Sequence, residues 1–431
     1  MVGCDGSLEN RLSVNNVRLR WFIFSLFSLQ YVLTYFHRVC MAVLAPELVY
    51  TFHISGTMLG VFSSVYFYPY AFMQIPIGAL SDFWGPRKIA AMFSVIAGAG
   101  SILFGLSMNI GFAIFSRILI GIGVSAIFVP AMKVFGAWFK DREYAGITGL
   151  FMAIGGVGWL MGTAPLSALS ETFSWRAIFV FVGVVTMILA VSTWFIVRDK
   201  PGKNDPQTTT AKAAVRVEKG AGGNFSLILN EKDFWFIAVW FFLRVGILFS
   251  FFGLWAGPYL MDTYRLSKYT VGSILAMAPI AIIIGTPLFG YISDNIISSR
   301  KKVLVGSSLI LSVCWFPLLL RIDSLSIPGI YILFFIMGMM TGSPASVGFS
   351  IIKELFPSNL AGTSIGAANF SGFLGGVLFQ PLIGYVLDNI GKVHGMYTPN
   401  AYKVAFYIFF AMSIICLASI LMTREAVHKK I

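Results

Sequence analysis

Arg38 and Arg244 are the charges set deepest in apolar sequence, a position that costs several kcal/mol unless the group meets a partner or faces a water-filled space. A guanidinium presents paired N–H donors that match a carboxylate or a phosphate, so the chemistry these residues can do is to hold an anion. Tyr31, Thr34 and Tyr35 precede Arg38 by seven, four and three residues, which in a helix puts all four on one face. Outward snorkelling of Arg38, or a pair with Glu47, is the alternative to a ligand role. Arg244 stands about ten residues into its own apolar run, roughly 15 Å at the helical rise and so near a membrane midplane. A tie to a backbone carbonyl or a tyrosine is its alternative. His37 is the one group at that depth whose ordinary pKa suits proton transfer; it serves as a proton carrier or as a plain hydrogen bonder. Tyr70 and Gln74, with Tyr66, lie on a second apolar run, and Asn369 and Gln380 on a late one. Buried amides need partners, either substrate hydroxyls or a neighbouring helix. Asp82, Asp294, Glu47, Glu354 and Asp388 all fall near the ends of runs, so no carboxylate is expected deep inside. Lys133 and Lys353, near the ends of two further runs, are expected to snorkel, with attraction of an anion as the alternative. The four cysteines, Cys4, Cys40, Cys314 and Cys416, are far apart, and no disulfide, metal site or cofactor is implied.

A second group of residues repeats. Positions 78–88 read Gly-Ala-Leu-Ser-Asp-Phe-Trp-Gly-Pro-Arg-Lys, and Gly60, Gly78, Ser81, Asp82 and Lys88 match Gly272, Gly290, Ser293, Asp294 and Arg300 at an offset of 212. Ala145, Gly146, Gly156, Pro165 and Leu166 match Ala361, Gly362, Gly372, Pro381 and Leu382 at an offset of 216. Matches held in register over such lengths mark a duplicated half. In membrane proteins two such halves usually meet around a binding site, which points to transport.

The elements that must position these residues are apolar helices. The chain is 57% apolar and 11% charged, far below the roughly one-quarter charged residues of a soluble protein. Lipid is the solvent that fits, because a helix of about 20 apolar residues satisfies its own backbone there. Apolar runs fall at about 19–44, 57–80, 89–107, 110–138, 145–170 and 175–197, then 234–261, 270–293, 303–320, 328–351, 360–386 and 402–423. The expected fold is therefore an all-α membrane protein of twelve transmembrane helices in two pseudo-symmetric six-helix bundles. Its boundaries are a tail at 1–18, a first bundle at 19–197, a linker at 198–232, a second bundle at 233–423 and a tail at 424–431. The linker holds Pro201, Pro206, Gly220, Gly222 and Gly223, and its polar composition cannot bury a core.

The net charge of +13 would suit nucleic acid, but it sits in short clusters between alternate runs. This is the positive-inside pattern of a protein embedded in a lipid bilayer, with both termini cytoplasmic, and no nucleic-acid partner is expected. The polar start as far as Arg20 and the long apolar stretch 21–44 are unlike a cleavable signal peptide.

Gly78, Leu80, Asp82, Gly85, Arg87 and Lys88, placed after a second span, resemble the loop motif of the major facilitator superfamily, with Pro86 in place of the first arginine. Arg117, Gly121 and Gly123 resemble its fourth-helix motif. The resemblance covers nearly the whole chain and implies alternating access by a monomer. It makes Gly78, Asp82, Arg87, Asp294 and Arg117 conformational residues, with Asp82 latching the bundles on the cytoplasmic side. Tyr31 to Ala45, followed by Pro46-Glu47, resembles the organic-anion and organophosphate branches. There an arginine on the first helix holds substrate, which implies that role for Arg38, with Tyr31, Tyr35, His37, Arg244, Tyr70, Gln74, Asn369 and Gln380 around it. Sugar-acid symporters of that group carry an acidic residue before the arginine, where this chain has His37. The expectation is a secondary transporter of a small anionic metabolite, coupled to a proton or a counter-anion, in a bacterial inner membrane. A non-transporting sensor on the same fold, or a carrier of neutral or zwitterionic metabolites, is the alternative. A membrane enzyme is not expected, because the histidines His37, His53, His394 and His428 do not group with nucleophiles at one place.

Overall fold

The computed structural model describes residues 5–201, 227–357 and 360–424. The start of the expected N-terminal tail, most of the linker and nearly all of the C-terminal tail lie outside the described residues. Among those described, ten helices are long and apolar enough to cross a membrane, or eleven if the bent pair Arg18–Val39 and Met41–Phe52 is one span.

Span 1 is α1 (Asp5–Val39) and α2 (Met41–Phe52), bent by 53° at Cys40. Span 2 is α3 (Gly56–Ser64) and α4 (Phe67–Trp84), interrupted by a turn at Val65 and Tyr66. Spans 3 to 6 are α5 (Pro86–Gly105), α6 (Ile110–Ser125) with α7 (Phe128–Trp138), α8 (Asp141–Met161) with α9 (Ala164–Thr172), and α10 (Trp175–Ile196). Span 7 is α11 (Lys232–Ile247), a π-helical stretch Leu248–Trp255 and α12 (Ala256–Tyr264). Span 8 is α13 (Lys268–Leu275) and α14 (Met277–Tyr291), ending in a second π-turn at Ile292–Ile296. α15 (Arg300–Leu320), α16 (Ile327–Gly342) with α17 (Ala345–Leu355), α18 (Ala361–Ile390) and α19 (Pro399–Met422) complete the twelve.

Local chemistry explains where these helices begin. Ser55, Asn109, Ser267, Ser299, Ser326 and Thr398 each cap a helix with a side-chain oxygen that accepts a backbone N–H of the first turn. Pro86 and Pro399 open α5 and α19, where a missing N–H costs nothing. Before Pro86, Gly85 takes φ +89°, a backbone that strains any side chain.

The chain forms two compact units. The first comprises Met1–Tyr35, Phe72–Gly158 and Arg176–Glu218, and its core gathers Phe24, Phe27, Tyr31, Phe135, Trp138 and Phe151. The second comprises Phe36–Ala71, Trp159–Trp175 and Lys219–Ile431. Trp315 anchors its core, its ring 5.1 Å from Phe251 and stacked on Phe409 at 5.3 Å.

Within the second unit the sequence repeat becomes a structural one. A Cβ on Gly60 of α3 would lie 2.6 Å from Pro381 Cα of α18, and one on Gly272 of α13 would lie 2.6 Å from Ser167 Cβ and 3.1 Å from Ala164 Cα of α9. Gly60 and Gly272 are one repeated pair, Pro165 and Pro381 another. Each copy of the glycine thus rests on the helix carrying the other copy's proline, as a pseudo-twofold relation requires. Small residues let helix backbones meet this closely in lipid.

Asp388 of α18 adds a polar lock to the α3–α18 seam. Its carboxylate accepts the backbone N–H groups of Gly56 (2.9 Å) and Thr57 (2.7 Å), the Thr57 hydroxyl (2.6 Å) and the Tyr397 hydroxyl (2.5 Å). An anion at a helix N-terminus faces the positive end of the dipole and otherwise unsatisfied donors. Tyr397 is delivered by a short hairpin, β1 (Lys392–Val393) against β2 (Met396–Tyr397), turned by His394 and Gly395 at φ 51° and 82°. Two successive positive φ values are what a tight hairpin turn demands. Burial, and next the bond to Asp388, push the Tyr397 phenol above its ordinary pKa, so it stays a donor. Around α13 the ties are different: Lys268 pairs with Glu47, and Ser167 Oγ donates to the Lys268 carbonyl.

Candidate functional site

The break at Cys40 sets the geometry of span 1. Two residues earlier, Arg38 is 3% exposed, and aromatic rings of the second unit surround its guanidinium. Its central carbon lies 4.8 Å from the Tyr70 ring, 5.2 Å from Phe373 and 5.8 Å from Phe249. The rings support one another: Phe249 and Phe373 are stacked at 5.9 Å and 11°, and Tyr70 meets Phe373 at 5.0 Å. Behind them stand Phe67, 4.9 Å from Phe249, and Trp159, stacked on Phe249 at 6.1 Å. Ring faces attract a cation and do so more strongly where water is excluded. A guanidinium is planar and carries its N–H donors in a fixed fork that matches a carboxylate or phosphate. Glu47, the expected alternative partner of Arg38, is paired with Lys268.

Phe249 lies in the π-helical stretch of span 7, a local geometry often found at functional sites. Gln380 of α18 donates its side-chain amide to the Phe249 carbonyl at 2.9 Å, while the Trp255 indole donates to the Gln380 carbonyl at 3.0 Å.

Arg244 is elsewhere on span 7. At 1% exposure, its Nε donates to the Thr341 carbonyl at 2.9 Å and an Nη to Ser308 Oγ at 3.3 Å, with the guanidinium 4.6 Å from the Trp240 ring. The backbone tie weighed for it is therefore present. Its second Nη, an NH₂ group with two N–H donors, has no hydrogen-bond partner among the described residues. The position that repeats Arg38 at the 212 offset is Ser250, inside the π-helical stretch.

In the first unit, Tyr31 stacks on Phe151 at 4.4 Å and meets Tyr35 edge-on at 5.1 Å. His37 is buried in the second unit, edge-on to Phe36. Gln74 is half-buried, with a buried Nε2 that has no partner among the described residues, and Asn369 is exposed.

The loop-motif residues form their own cluster. Lys133 Nζ donates to Asp82 at 2.5 Å and to the Gly78 carbonyl at 2.8 Å, so Lys133 has an ion-pair partner where snorkelling was expected. The Arg87 backbone N–H donates to Asp199 at 2.7 Å, and its side chain lies 5.9 Å from the Trp194 ring. Asp294 is 3.9 Å from Arg300, which also pairs with Glu354. Arg117 is fully buried in α6.

Sequence reasoning named Arg38 and Tyr70 as candidates but not Phe249 or Phe373, which lie beside Arg38. The repeat held the only pointer, because Phe249 is the 212-offset counterpart of His37.

The model of the Major Facilitator Superfamily matches residues 27–298 and 246–431. The chain is 24% identical to the hexuronate transporter of Bacillus subtilis, over 85% of this chain and 87% of that one. It is 23% identical to the probable sulfoacetate transporter of Cupriavidus necator, over 87% and 89%. Among solved structures, a bacterial homolog of the human lysosomal transporter Spinster superposes with a TM-score of 0.78 at 17% identity, covering 94% of this chain and 97% of that one.

Proposed function

This chain belongs to the Major Facilitator Superfamily, and we propose that it is a secondary active transporter of a small organic anion that bears a carboxylate or phosphate. The observation that carries the reading is Arg38, a buried guanidinium framed by Tyr70, Phe249 and Phe373. A guanidinium is the side chain best shaped to hold a carboxylate or phosphate, and an ionisable group at membrane depth is most often there for function. Two relatives named for hexuronate and sulfoacetate support the same chemical class. Arg244, with one NH₂ group to spare, is the second cation of the reading, and His37 the group for proton coupling if a proton rather than a counter-anion drives transport. The repeats at 19–197 and 233–423 are the two halves that alternate. The motif-bearing end faces the cytoplasm of a bacterial cell, the α3–α18 seam faces outward, and the monomer is the working unit. The chain carries out no covalent chemistry on its cargo.

Uptake into proteoliposomes tests this. Labelled D-glucuronate and sulfoacetate should enter, while glucose and choline should not. Arg38→Ala should abolish uptake. Arg38→Lys keeps the charge but loses the fork, and should raise KM about tenfold or more, as loss of a charge-assisted pair implies. Unimpaired uptake by Arg38→Ala, or transport of the cation, would sink the reading.

A further inference from the structure

We infer that Gln380 is a positioning residue, which holds the Phe249 ring against Arg38 and so sets the affinity of Arg38 for its anion without touching the anion itself. The inference rests on the reading of Arg38 as the substrate cation. Gln380 is fully buried, and its amide nitrogen is 2.9 Å from the Phe249 carbonyl. Because that partner is a carbonyl, only the NH₂ end of the amide can face it, and the orientation of the side chain is fixed by chemistry. The opposite end, Oε1, has no hydrogen-bond partner among the described residues, so it is the donor end that ties this side chain to span 7.

The Phe249 carbonyl sits in the π-helical stretch Leu248–Trp255, where the backbone ladder runs to the N–H five residues on. A carbonyl has two lone pairs, so the Gln380 amide adds a bond from outside the helix that ties this backbone to α18. The reciprocal bond, from the Trp255 indole to the Gln380 carbonyl at 3.0 Å, closes a two-bond clamp between α18 and both ends of that stretch. One turn before Gln380, Gly376 completes the fit: a Cβ there would lie 3.2 Å from Phe249 Cβ. The Phe249 backbone is thus held by Gln380, its first side-chain carbon is admitted by Gly376, and its ring stands by Arg38 at 5.8 Å.

The test uses the full chain in proteoliposomes, with uptake of D-glucuronate or sulfoacetate as the readout. Gln380→Met, close in shape but without the donor, should raise KM about fivefold while leaving kcat within about twofold, since a ring that shapes the ground-state site is displaced. In a Phe249→Leu background the same substitution should change KM by less than about twofold, because there is no ring left to place. Gly376→Ala, which moves Phe249 without altering Gln380, should reproduce the KM effect. An equal fold-change in both backgrounds would mean that Gln380 meets the anion directly and would overturn the inference, as would an unchanged KM in Gln380→Met. A second measurement needs no transport: modification of Arg38 by phenylglyoxal, followed by mass spectrometry, should be faster in Gln380→Met and in Phe249→Leu. An unchanged rate in both variants overturns the inference. Arg38→Ala retaining full uptake would instead strike the reading beneath it.

Discussion

The two seams of the second unit, α3 on α18 and α13 on α9, descend from one repeated pattern and are locked in different ways. Both keep a glycine pressed against the opposing helix, Gly60 at Pro381 and Gly272 at Ser167. The positions that repeat Gly56 and Asp388 are Lys268 and Thr172. One seam therefore has a carboxylate that accepts four hydrogen bonds at the start of α3, whereas the other has the Lys268–Glu47 ion pair. Backbone approach is shared because it depends only on having no side chain. The polar locks diverged because each needs its own set of partners. The lock at α3 is also the stronger kind, since its donors are fixed by the helix and Tyr397, while the Glu47 carboxylate is about one-third exposed (34%) and open to solvent screening.

The largest change should come from filling the glycine of the first seam. Gly60→Val faces the backbone of Gln380 and Pro381, which cannot rotate away, and should cost about 3 kcal/mol or more. Thermal unfolding in detergent should show it, together with loss of uptake. Gly272→Ala meets chiefly the Ser167 side chain, so Ser167→Gly should restore stability there. No single change in the side chains of Gln380 or Pro381 should rescue Gly60→Val. Rescue of both seams by such changes would erase the contrast drawn between them.

Next in size is Asp388→Asn. It removes the charge at the α3 N-terminus and should cost about 1–2 kcal/mol, seen as a lower unfolding temperature. On the proposed orientation, in which this seam faces outward and parts during transport, a cysteine at Thr57 should also react faster with an impermeant maleimide when Asp388 is Asn. A loss no greater than that of Lys268→Met would remove the distinction between the locks.

Smallest should be Lys268→Met or Glu47→Gln, at about 0–1 kcal/mol for a partly exposed pair. That loss should fade as ionic strength rises. The effect of Gly60→Val, being steric, should ignore salt altogether.

The helices themselves were largely legible. The apolar run read at 234–261 lies within the span Lys232–Tyr264, and 402–423 overlaps Pro399–Met422 to within one residue at its end, because charge, proline and capping residues mark where apolar sequence must stop. Interruptions inside spans were not legible. Cys40, the turn at Val65 and Tyr66, and the stretch Leu248–Trp255 hold no proline, and in a helix that is apolar all round no periodic signal changes at a break. Arg38 stood out because a charge in apolar sequence is rare. Phe249 and Phe373 did not, since the chain has 41 phenylalanines and nothing local separates a ring beside a cation from one in a core. Asp388 was seen to lie near a helix end, but its partners Gly56 and Thr57 come from more than 300 positions away, and only the fold brings them together.

The π-helical stretch of span 7 also bears on how this chain lines up with its relatives. A π-turn encloses one residue more than an α-turn, so Leu248–Trp255 carries spare length that a plain α-helix does not. Deleting one residue from a regular helix turns every later side chain by about 100°. A deletion between Leu248 and Trp255 could instead be taken up by closing the turn to α-helical form, with α11 and α12 keeping their facings. Relatives whose seventh span is a plain α-helix should therefore align to this chain with a one-residue gap inside that stretch, at the place where the ring beside Arg38 is presented.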